Sequence, residues 1–433
     1  MPTESQIIKL DAISESLNSG AMLKAKLILN GLHPAEIARL LESSPSRQRR
    51  LIWEMLDHKN DGEVLLEVGE EVRNNLMESM DDESLLAATK GLDVDDLADL
   101  LDELPETVVK QALKGMDYQY RTRLEGVMNY DEDTAGGLMN TDTITIRPDV
   151  TLDVVLKYLR LRKEMPQNTD NIIVVDRYNH YLGTLSVTAL LCADPEKTVS
   201  ESMDNDYISI NADTLANEVT NIFEDRDLVS APVVDKNNIL LGRITIDDVV
   251  DVIREESEHT VLNMAGLTDE EDIFAPVLPS TRRRAIWLGI NLLTALIASG
   301  VISLFQETIE QVVALAVLMP IVASMGGIAG SQTLTLVIRG IALGNISSTN
   351  SKSLLVKEIS IGLLNSLLWA CVIGVLSSYW FNNYLIGVVI GIAMIANLGF
   401  AALSGVLIPI MLKRIGVDPA LGGGVILTTI TDV

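Results

Sequence analysis

The last third of the chain consists mostly of long apolar runs that are typical of membrane-spanning helices. Residues 285–433 hold only five Lys+Arg and five Asp+Glu among 149 residues. A helix of roughly 20 apolar residues is long enough to cross the ~30 Å hydrocarbon core of a bilayer. Uncharged runs of at least that length predict four spans, at 285–305, 312–338, 359–380 and 386–412. The sequence therefore predicts a helical transmembrane bundle.

A fifth apolar run, at 420–433, is shorter than the other four. As a helix it extends about 21 Å, which is less than the hydrocarbon thickness. We therefore expect a fifth span that is cut short by the chain end. Asp432 lies near the end of this run, about 18 Å deep and close to the middle of the bilayer.

The basic residues near the spans predict the orientation of the protein. Basic residues precede span one, lie at the end of span two or between spans two and three, and follow span four. They are Arg282, Arg283, Arg284, Arg339, Lys352, Lys357, Lys413 and Arg414. The connections after spans one and three contain no Lys or Arg. Because basic loops stay in the cytoplasm, the N-terminal part is predicted to be cytoplasmic and the protein to lie in the plasma membrane, the inner membrane of a bacterium.

The part before the spans is strongly acidic. Residues 1–284 hold 28 Lys+Arg and 55 Asp+Glu and so account for the whole net charge of −27. Phosphates would repel such a surface, which excludes nucleic acid as an expected partner and favours cations. The two cysteines, Cys192 and Cys371, provide no disulfide framework and no CxxC metal motif. No apolar signal-peptide segment occurs at the N-terminus.

An internal repeat with a period of 60 residues predicts a helical, superhelical N domain. Residues 31–41 match 91–101, and Pro45 and Pro105 keep the same spacing. Apolar side chains recur at three- and four-residue intervals, as on the buried face of a helix. Repeats of this kind stack into small solenoids. The first copy is interpreted as a scaffold, whereas the second carries four aspartates: Asp93, Asp95, Asp96 and Asp99.

A second repeat has the order strand, helix, strand, strand, helix and so predicts α/β modules. Residues 143–146 match 207–210, and helices follow at 152–162 and 215–225. Later in the modules, 174–176 match 233–235 and 182–187 match 241–246. The two copies stay in register over about 55 residues and resemble a tandem CBS pair. This resemblance implies a dimeric sensor module for adenine nucleotides or ions.

The order of these parts, and several motifs, resemble the MgtE family of magnesium channels. The motifs are Pro320 with Gly326–Gln332, Gly416–Ala420, Thr428–Asp432 and the segment YDEDTAGGLM at 130–139. The resemblance covers essentially the whole chain. It implies an N domain at 1–136, CBS modules at 137–200 and 201–258, a connecting plug at 259–284 and a transmembrane domain at 285–433. Three positions depart from the family pattern, which has Asn where this chain has Ile328, Ser331 and Gly424.

Asp432 is the first candidate for ion conduction. A carboxylate at mid-membrane costs about 3 kcal/mol, and no Lys or Arg occurs at mid-span to offset it. A passing cation is then the expected counter-charge, although an ion pair within the bundle is the alternative. Two copies in a homodimer would place two carboxylates across one axis, which suits hydrated Mg²⁺. The family resemblance adds Gly326, Gly327, Gln332 and Thr428 to the predicted pore.

Gly326, Gly327 and Gly330 admit two interpretations. Small residues permit close packing of membrane helices. With Pro320 upstream, they are also compatible with a locally opened helix that exposes carbonyl groups to a water-filled path. The sequence leaves both open, and the same holds for 422–424.

A second group of candidates is regulatory. Asp247, Asp251 and Glu255 recur every four residues at the end of the second CBS module, with Asp248 and Glu258 beside them. Like charges so placed repel each other, and a solvated face is the alternative to a metal site. The family resemblance places them opposite the Asp93–Asp99 cluster. It implies the regulatory metal residues Asp95, Asp99, Gly136, Asp227, Asp248, Asp251, Glu255, Glu256 and Asp418.

Together these observations predict a homodimeric, Mg²⁺-selective channel that cytosolic Mg²⁺ closes by bridging the acidic domains. No nucleophile elbow or P-loop occurs, so an enzyme is not expected and no catalytic residue is assigned. Two alternatives remain: a channel or carrier for another divalent cation such as Co²⁺ or Mn²⁺, and a non-conducting membrane sensor based on the CBS pair. The mid-membrane Asp432 argues against the sensor.

Overall fold

The structure is a computed structural model that describes residues 22–57, 59–162, 165–267, 272–346 and 350–433. The predicted start of the N domain at 1–21, and residues 268–271 of the predicted plug, lie outside the described residues. The described part forms two compact units. One holds the residues up to Ser257 together with 272–275, and the other holds 258–267 and Pro276–Val433.

The first unit begins with a helical domain, as the first repeat predicts. Its helices are α1 (Met22–Leu29), α2 (Pro34–Glu42), α3 (Ser46–Met55), α4 (Asp61–Glu67), α5 (Glu70–Met77), α6 (Asp82–Ala88), α7 (Val94–Asp102), α8 (Glu106–Gly115) and α9 (Tyr118–Val127). Pro45 and Pro105 directly precede α3 and α8, where a fixed φ suits the start of a helix. The apolar face of α7 is buried, with Leu97, Leu100 and Leu101 each 1% exposed.

Two α/β modules follow, in the predicted order. The first contains β1 (Thr145–Ile146), α10 (Leu152–Arg162), β2 (Asn171–Val175), β3 (Tyr181–Ser186), α11 (Val187–Cys192) and α12 (Val199–Ser202). The second contains β4 (Ile210–Asn211), α13 (Ala216–Arg226), β5 (Ser230–Val234), β6 (Leu240–Thr245) and α14 (Ile246–Met264). In each sheet the first strand is parallel to the second and the second is antiparallel to the third. The first strands are shorter than predicted because they pair with one neighbour over only two residues.

Matching turns join the two modules. The backbone N–H of Tyr181 donates to Asn238, and that of Leu240 donates to Asn179, both at 2.9 Å. Both asparagines have a positive φ, 68° at Asn179 and 62° at Asn238, a conformation that Asn tolerates better than most residues. The exchange of equivalent hydrogen bonds makes the pair of modules nearly symmetric.

The second unit contains four helices that are long and apolar enough to span a membrane: α15 (Val277–Ser303), α17 (Val313–Ala342), α18 (Ser351–Trp380) and α19 (Tyr384–Arg414). The short α16 (Gln306–Gln311) joins the first two, and α20 (Pro419–Asp432) follows α19. The four long helices extend beyond the apolar runs because charged residues continue the helix outside the hydrocarbon. The predicted boundaries at 258/259 and 284/285 therefore fall inside α14 and α15.

Candidate functional site

Two acidic surfaces of the first unit face each other. One lies on α7 with the residue before it, and it carries Asp93, Asp95, Asp96 and Asp99. The other lies on the first part of α14, and it carries Asp247, Asp248, Asp251 and Glu255. Each surface affects the ionisation of the other, because the charges of Asp248 and Glu255 act on Asp95 and Asp99 respectively. The structure thus brings together residues that are about 150 positions apart in the sequence.

The facing carboxylates are held in an unfavourable electrostatic environment. Burial, together with the charges of Asp248 and Asp96, raises the pKa of Asp95 to about 8. Burial and the neighbouring carboxylates raise the pKa of Asp96 to about 6 and that of Asp99 to about 7. Burial also raises the pKa of Asp248 to about 7. These groups therefore carry negative charge only at a free-energy cost, which a bound cation would offset.

The oxygen atoms on α7 are close enough to share an ion. One carboxylate oxygen each from Asp93, Asp95 and Asp96 lies within 4.8 Å of the others. Asp95 is only 8% exposed, and its Oδ1 has no hydrogen-bond partner. Hard divalent cations prefer carboxylate oxygens, and Mg²⁺ keeps several of its waters when it binds them. This donor set fits a hydrated divalent cation.

Three other predicted regulatory residues of this unit, Gly136, Asp227 and Glu256, lie outside the cluster of Asp93, Asp95 and Asp96. The N–H of Gly136 donates to Ala212 at 2.9 Å, and a Cβ at Gly136 would lie 2.3 Å from the ring of Tyr130. Asp227 ends α13 with a left-handed φ of 51°. Glu256 is exposed on α14. No metal-type cluster that includes any of these three occurs among the described residues.

Asp418 already has protein partners on both carboxylate oxygens. Its Oδ1 accepts from the N–H of Ala420 at 2.9 Å, so Asp418 caps the N-terminus of α20. Its Oδ2 accepts from Nδ2 of Asn263, near the end of α14, at 2.8 Å. The same Nδ2 lies 2.8 Å from Nε2 of His259. Asp418 therefore connects the beginning of the predicted plug, at Asn263, to the start of α20.

Three of the predicted pore residues are exposed polar side chains of the second unit. Thr428 and Asp432 are one turn apart on α20, and both side chains are exposed. Gln332, on the neighbouring helix α17, is also exposed. Asp432 forms no ion pair with any Lys or Arg in the part of the chain that the structure describes. Because a carboxylate is unfavourable in lipid, the exposed Asp432 requires a polar environment.

The glycines of α17 differ in how much space surrounds them. A Cβ on Gly326 would lie 2.5 Å from Nδ2 of Asn397, and one on Gly330 would lie 2.8 Å from the side chain of Leu427. Gly327 has more room, since Oγ1 of Thr431 is its nearest neighbour at 3.9 Å. The helix is continuous from Val313 to Ala342, Pro320 included. The alternative of a locally opened helix is therefore wrong for this structure, and close packing explains Gly326 and Gly330.

This difference in the space around Gly326 and Gly327 predicts different effects of adding a methyl group at each position. Gly326→Ala is expected to destabilise the membrane unit by about 1–3 kcal/mol, because Asn397 would have to move away from α17. Gly327→Ala is expected to be tolerated. Thermal unfolding in detergent measures both, with Gly327→Ala as the matched control. Equal stability of the two variants would contradict the packing role of Gly326.

Sequence reasoning missed three polar residues with a defined environment. Glu132 adds to the charges that raise the pKa of Asp99. In the membrane unit, Nδ2 of Asn397 donates to the carbonyl of Val322 at 2.8 Å, and Glu358 is 5% exposed with Thr333 Oγ1 at 3.4 Å. The sequence signal for Asn397 was a polar amide inside an apolar run, whereas Glu358 directly precedes the run 359–380 and follows Lys357.

Comparisons with known proteins agree with this architecture. The family described as the MgtE intracellular N domain matches residues 32–133, and the CBS domain family matches 135–196 and 199–255. The family described as a divalent cation transporter matches residues 319–433. The magnesium transporter MgtE of Thermus thermophilus is 30% identical over 427 residues, which cover 98% of this chain and 95% of that protein.

Two further proteins are similar. The magnesium transporter MgtE of Bacillus subtilis is 28% identical over 96% of this chain and 92% of its own length. The crystal structure of the cytosolic domain of the Mg²⁺ channel MgtE in complex with ATP superposes with a TM-score of 0.50. It is 29% identical and covers 56% of this chain and 99% of that structure.

Proposed function

This chain belongs to the MgtE family of magnesium transporters, and from that membership we propose that it forms a homodimeric Mg²⁺ channel that cytosolic Mg²⁺ closes. It is a multi-pass protein of the inner membrane with its N-terminal domains in the cytoplasm, and it is a transporter rather than an enzyme. The dimer, the gating and the roles of individual residues are our proposal. The observation that carries the gating is the pair of facing acidic surfaces on α7 and α14.

The gating follows from electrostatics. Two carboxylates about 4 Å apart repel by about 4 kcal/mol at an effective dielectric constant near 20. Without cations, the surfaces that carry Asp95 and Asp248 therefore separate. A divalent cation between them replaces repulsion by attraction and holds them together. Because several such positions act jointly, closure becomes steep in Mg²⁺ concentration.

The second half of the gate is the end of α14. The hydrogen bond from Asn263 to Asp418 supports a closed state in which the predicted plug is fastened at the start of α20. Asp418 retains free lone pairs beyond these two hydrogen bonds, so it also serves as a ligand for Mg²⁺ through water. We assign Asp227, Gly136 and Glu256 to regulatory Mg²⁺ on the family resemblance alone.

The pore is proposed to run between two subunits. The exposed side chains of Thr428, Asp432 and Gln332 need a polar environment, and a second copy of the chain supplies one by symmetry. Two Asp432 carboxylates then face a shared water-filled path, where they bind hydrated Mg²⁺. Gly327 lies beside Thr431 of α20, and we assign it to the pore on the family resemblance.

We also propose that the CBS pair binds adenine nucleotide. Support comes from the similar cytosolic domain that was crystallised in complex with ATP. Equilibrium dialysis of the purified chain with labelled ATP tests this, and no saturable binding at millimolar ATP would contradict it.

Ion flux into reconstituted vesicles tests the function itself. We expect Mg²⁺ uptake down its gradient when the cytosolic side contains little Mg²⁺, and a steep decrease when Mg²⁺ is present on that side. Flux of Co²⁺ or Mn²⁺ that exceeds flux of Mg²⁺ would instead support a carrier or channel for those ions. Absence of flux for all divalent cations would support the sensor.

The selectivity of the channel among divalent cations should depend on Ile328. This side chain is 55% exposed on α17, one residue after Gly327, at a position where the family resemblance predicts Asn. An apolar group there cannot hold the waters of a hydrated ion. We expect poorer discrimination between Mg²⁺ and Mn²⁺ or Co²⁺ than in relatives with Asn, and Ile328→Asn should sharpen it several-fold. Competition flux assays measure this, with Ile328→Leu as the control; equal selectivity of both variants would contradict the prediction.

A further inference from the structure

The segment 272–275 is held on the N domain by a buried ion pair. Arg49 of α3 donates to Asp272 through two parallel hydrogen bonds, Nη1 to Oδ2 at 2.7 Å and Nη2 to Oδ1 at 3.0 Å. The side chains of Arg49 and Asp272 are only 3% and 2% exposed. Bidentate pairs of this kind are strong and directional.

Arg49 is also fixed by its own domain. Its Nε donates to the carbonyl of Leu41 at 2.9 Å and its Nη2 to that of Ser44 at 3.3 Å. These carbonyls belong to the end of α2 and the turn after it, where they can accept hydrogen bonds from a side chain. The guanidinium group is therefore positioned before the segment binds, and Asp272 supplies its counter-charge.

Asp272 in turn shapes the segment. Its Oδ1 accepts from the N–H of Phe274 at 2.9 Å, which closes a tight turn. Its own N–H donates to Oε2 of Glu71 on α5 at 2.8 Å, and Oγ of Ser46 donates to the carbonyl of Phe274 at 3.2 Å. We call this set of contacts between 272–275 and the N domain the latch. Loss of the carboxylate would leave a guanidinium buried without a counter-ion, which is strongly unfavourable.

We propose that the latch couples the N domain to the first membrane span. Only Pro276 separates Ala275 from the start of α15 at Val277. When the N domain leaves the CBS pair, it must either break the latch or pull on the beginning of α15. Either outcome opposes the departure, so the latch stabilises the closed state. This inference rests on the proposed Mg²⁺ gating. It adds a connection between the N domain and α15 that does not run through α14.

Asp272→Asn tests the latch directly in the full-length protein in vesicles. The amide keeps the shape but removes the charge that Arg49 requires. We expect the Mg²⁺ concentration at half-closure to rise at least about fivefold, a typical size for coupling between sites, while maximal flux at low Mg²⁺ is unchanged. Amide hydrogen exchange should show faster exchange at Asp272 and Phe274. Asp225→Asn, at an exposed position of α13, is the matched control.

A second variant separates coupling from local stability. Insertion of Gly-Ser-Gly-Ser between Ala275 and Pro276 leaves every contact of the latch intact but slackens its connection to α15. We expect the same shift in half-closure as for Asp272→Asn, without faster exchange at Asp272. A shift for Asp272→Asn alone would mean that the latch only stabilises the N domain, and it would overturn the coupling.

The remaining outcomes are equally decisive. If both variants close at the wild-type Mg²⁺ concentration, the inference is wrong although the gating stands. If wild-type protein conducts Mg²⁺ but is not closed by it, the gating proposal fails first. If Asp272→Asn does not fold, the insertion variant alone decides.

Discussion

Asp432→Ala is expected to abolish Mg²⁺ flux, or at least to reduce it about a hundredfold. A carboxylate near mid-membrane costs about 3 kcal/mol, and a group that binds the ion with a comparable free energy contributes a factor of about 100, since 1.4 kcal/mol is tenfold. Asp432 has no Lys or Arg partner among the described residues, so a cation is its natural counter-charge. Vesicle flux of Mg²⁺, with Co²⁺ and Mn²⁺ as competitors, measures the effect.

Two further variants sharpen this test. Asp432→Asn removes the charge but keeps the shape, and it should behave like Asp432→Ala if charge is what matters. Glu307→Gln makes the same change of charge in the short helix α16, outside the predicted pore, and should leave flux unchanged. Thermal unfolding in detergent shows whether each variant is folded. Wild-type flux and selectivity in a folded Asp432 variant would remove the pore assignment.

Neutralising Asp248, Asp251 and Glu255 together is expected to leave the channel open at Mg²⁺ concentrations that close the wild type. These three residues supply one side of the proposed bridge, and burial raises the pKa of each of them. Without their charge, Mg²⁺ no longer links α14 to α7. We expect the concentration at half-closure to rise at least about a hundredfold, because several coupled sites are lost at once. Vesicle flux and Mg²⁺-dependent protection of the cytosolic domains against protease both measure this.

Neutralising these three residues removes ligands for Mg²⁺, but it also removes repulsion between α7 and α14. The flux measurement distinguishes these two effects. If repulsion were the only role of these residues, the triple variant would stay closed at low Mg²⁺. If α14 carried only a solvated acidic face, the variant would close at the wild-type concentration. Neutralising Asp95, Asp96 and Asp99 should act in the same direction as the triple variant, since a bridge needs both sides. Neutralising three exposed acids on α13, namely Glu218, Glu224 and Asp225, is the matched control.

The architecture followed from local patterns in the sequence. Charge-free runs and the asymmetry of basic residues predicted the spans and their orientation, because a bilayer acts on each segment separately. The two repeats predicted the helical domain and the paired α/β modules, since each copy confirms the periodicity of the other. Helix ends were less accurate: α15 begins at Val277 rather than near 285, since charged residues extend a helix beyond the hydrocarbon.

The details of the candidate sites depended on contacts between distant residues. The sequence showed acidic clusters, but not that Asp95 would be buried with Asp248 of the other cluster close enough to act on its ionisation. It suggested two roles for the α17 glycines, and only the position of Asn397 on another helix separated Gly326 from Gly327. It assigned Asp418 to metal, whereas the structure adds Asn263 as its direct partner.

The sequence by itself determined the four long apolar spans, the order of domains and the position of Asp432 within a further apolar run. Hydrophobicity, charge and periodicity act over a few turns of chain and are therefore visible in one dimension. Only the tertiary structure decided which carboxylates face each other and that Arg49 binds Asp272, 223 positions away. Such pairings have no local signal, because the free energy of burying a charge depends on which groups the packing brings around it.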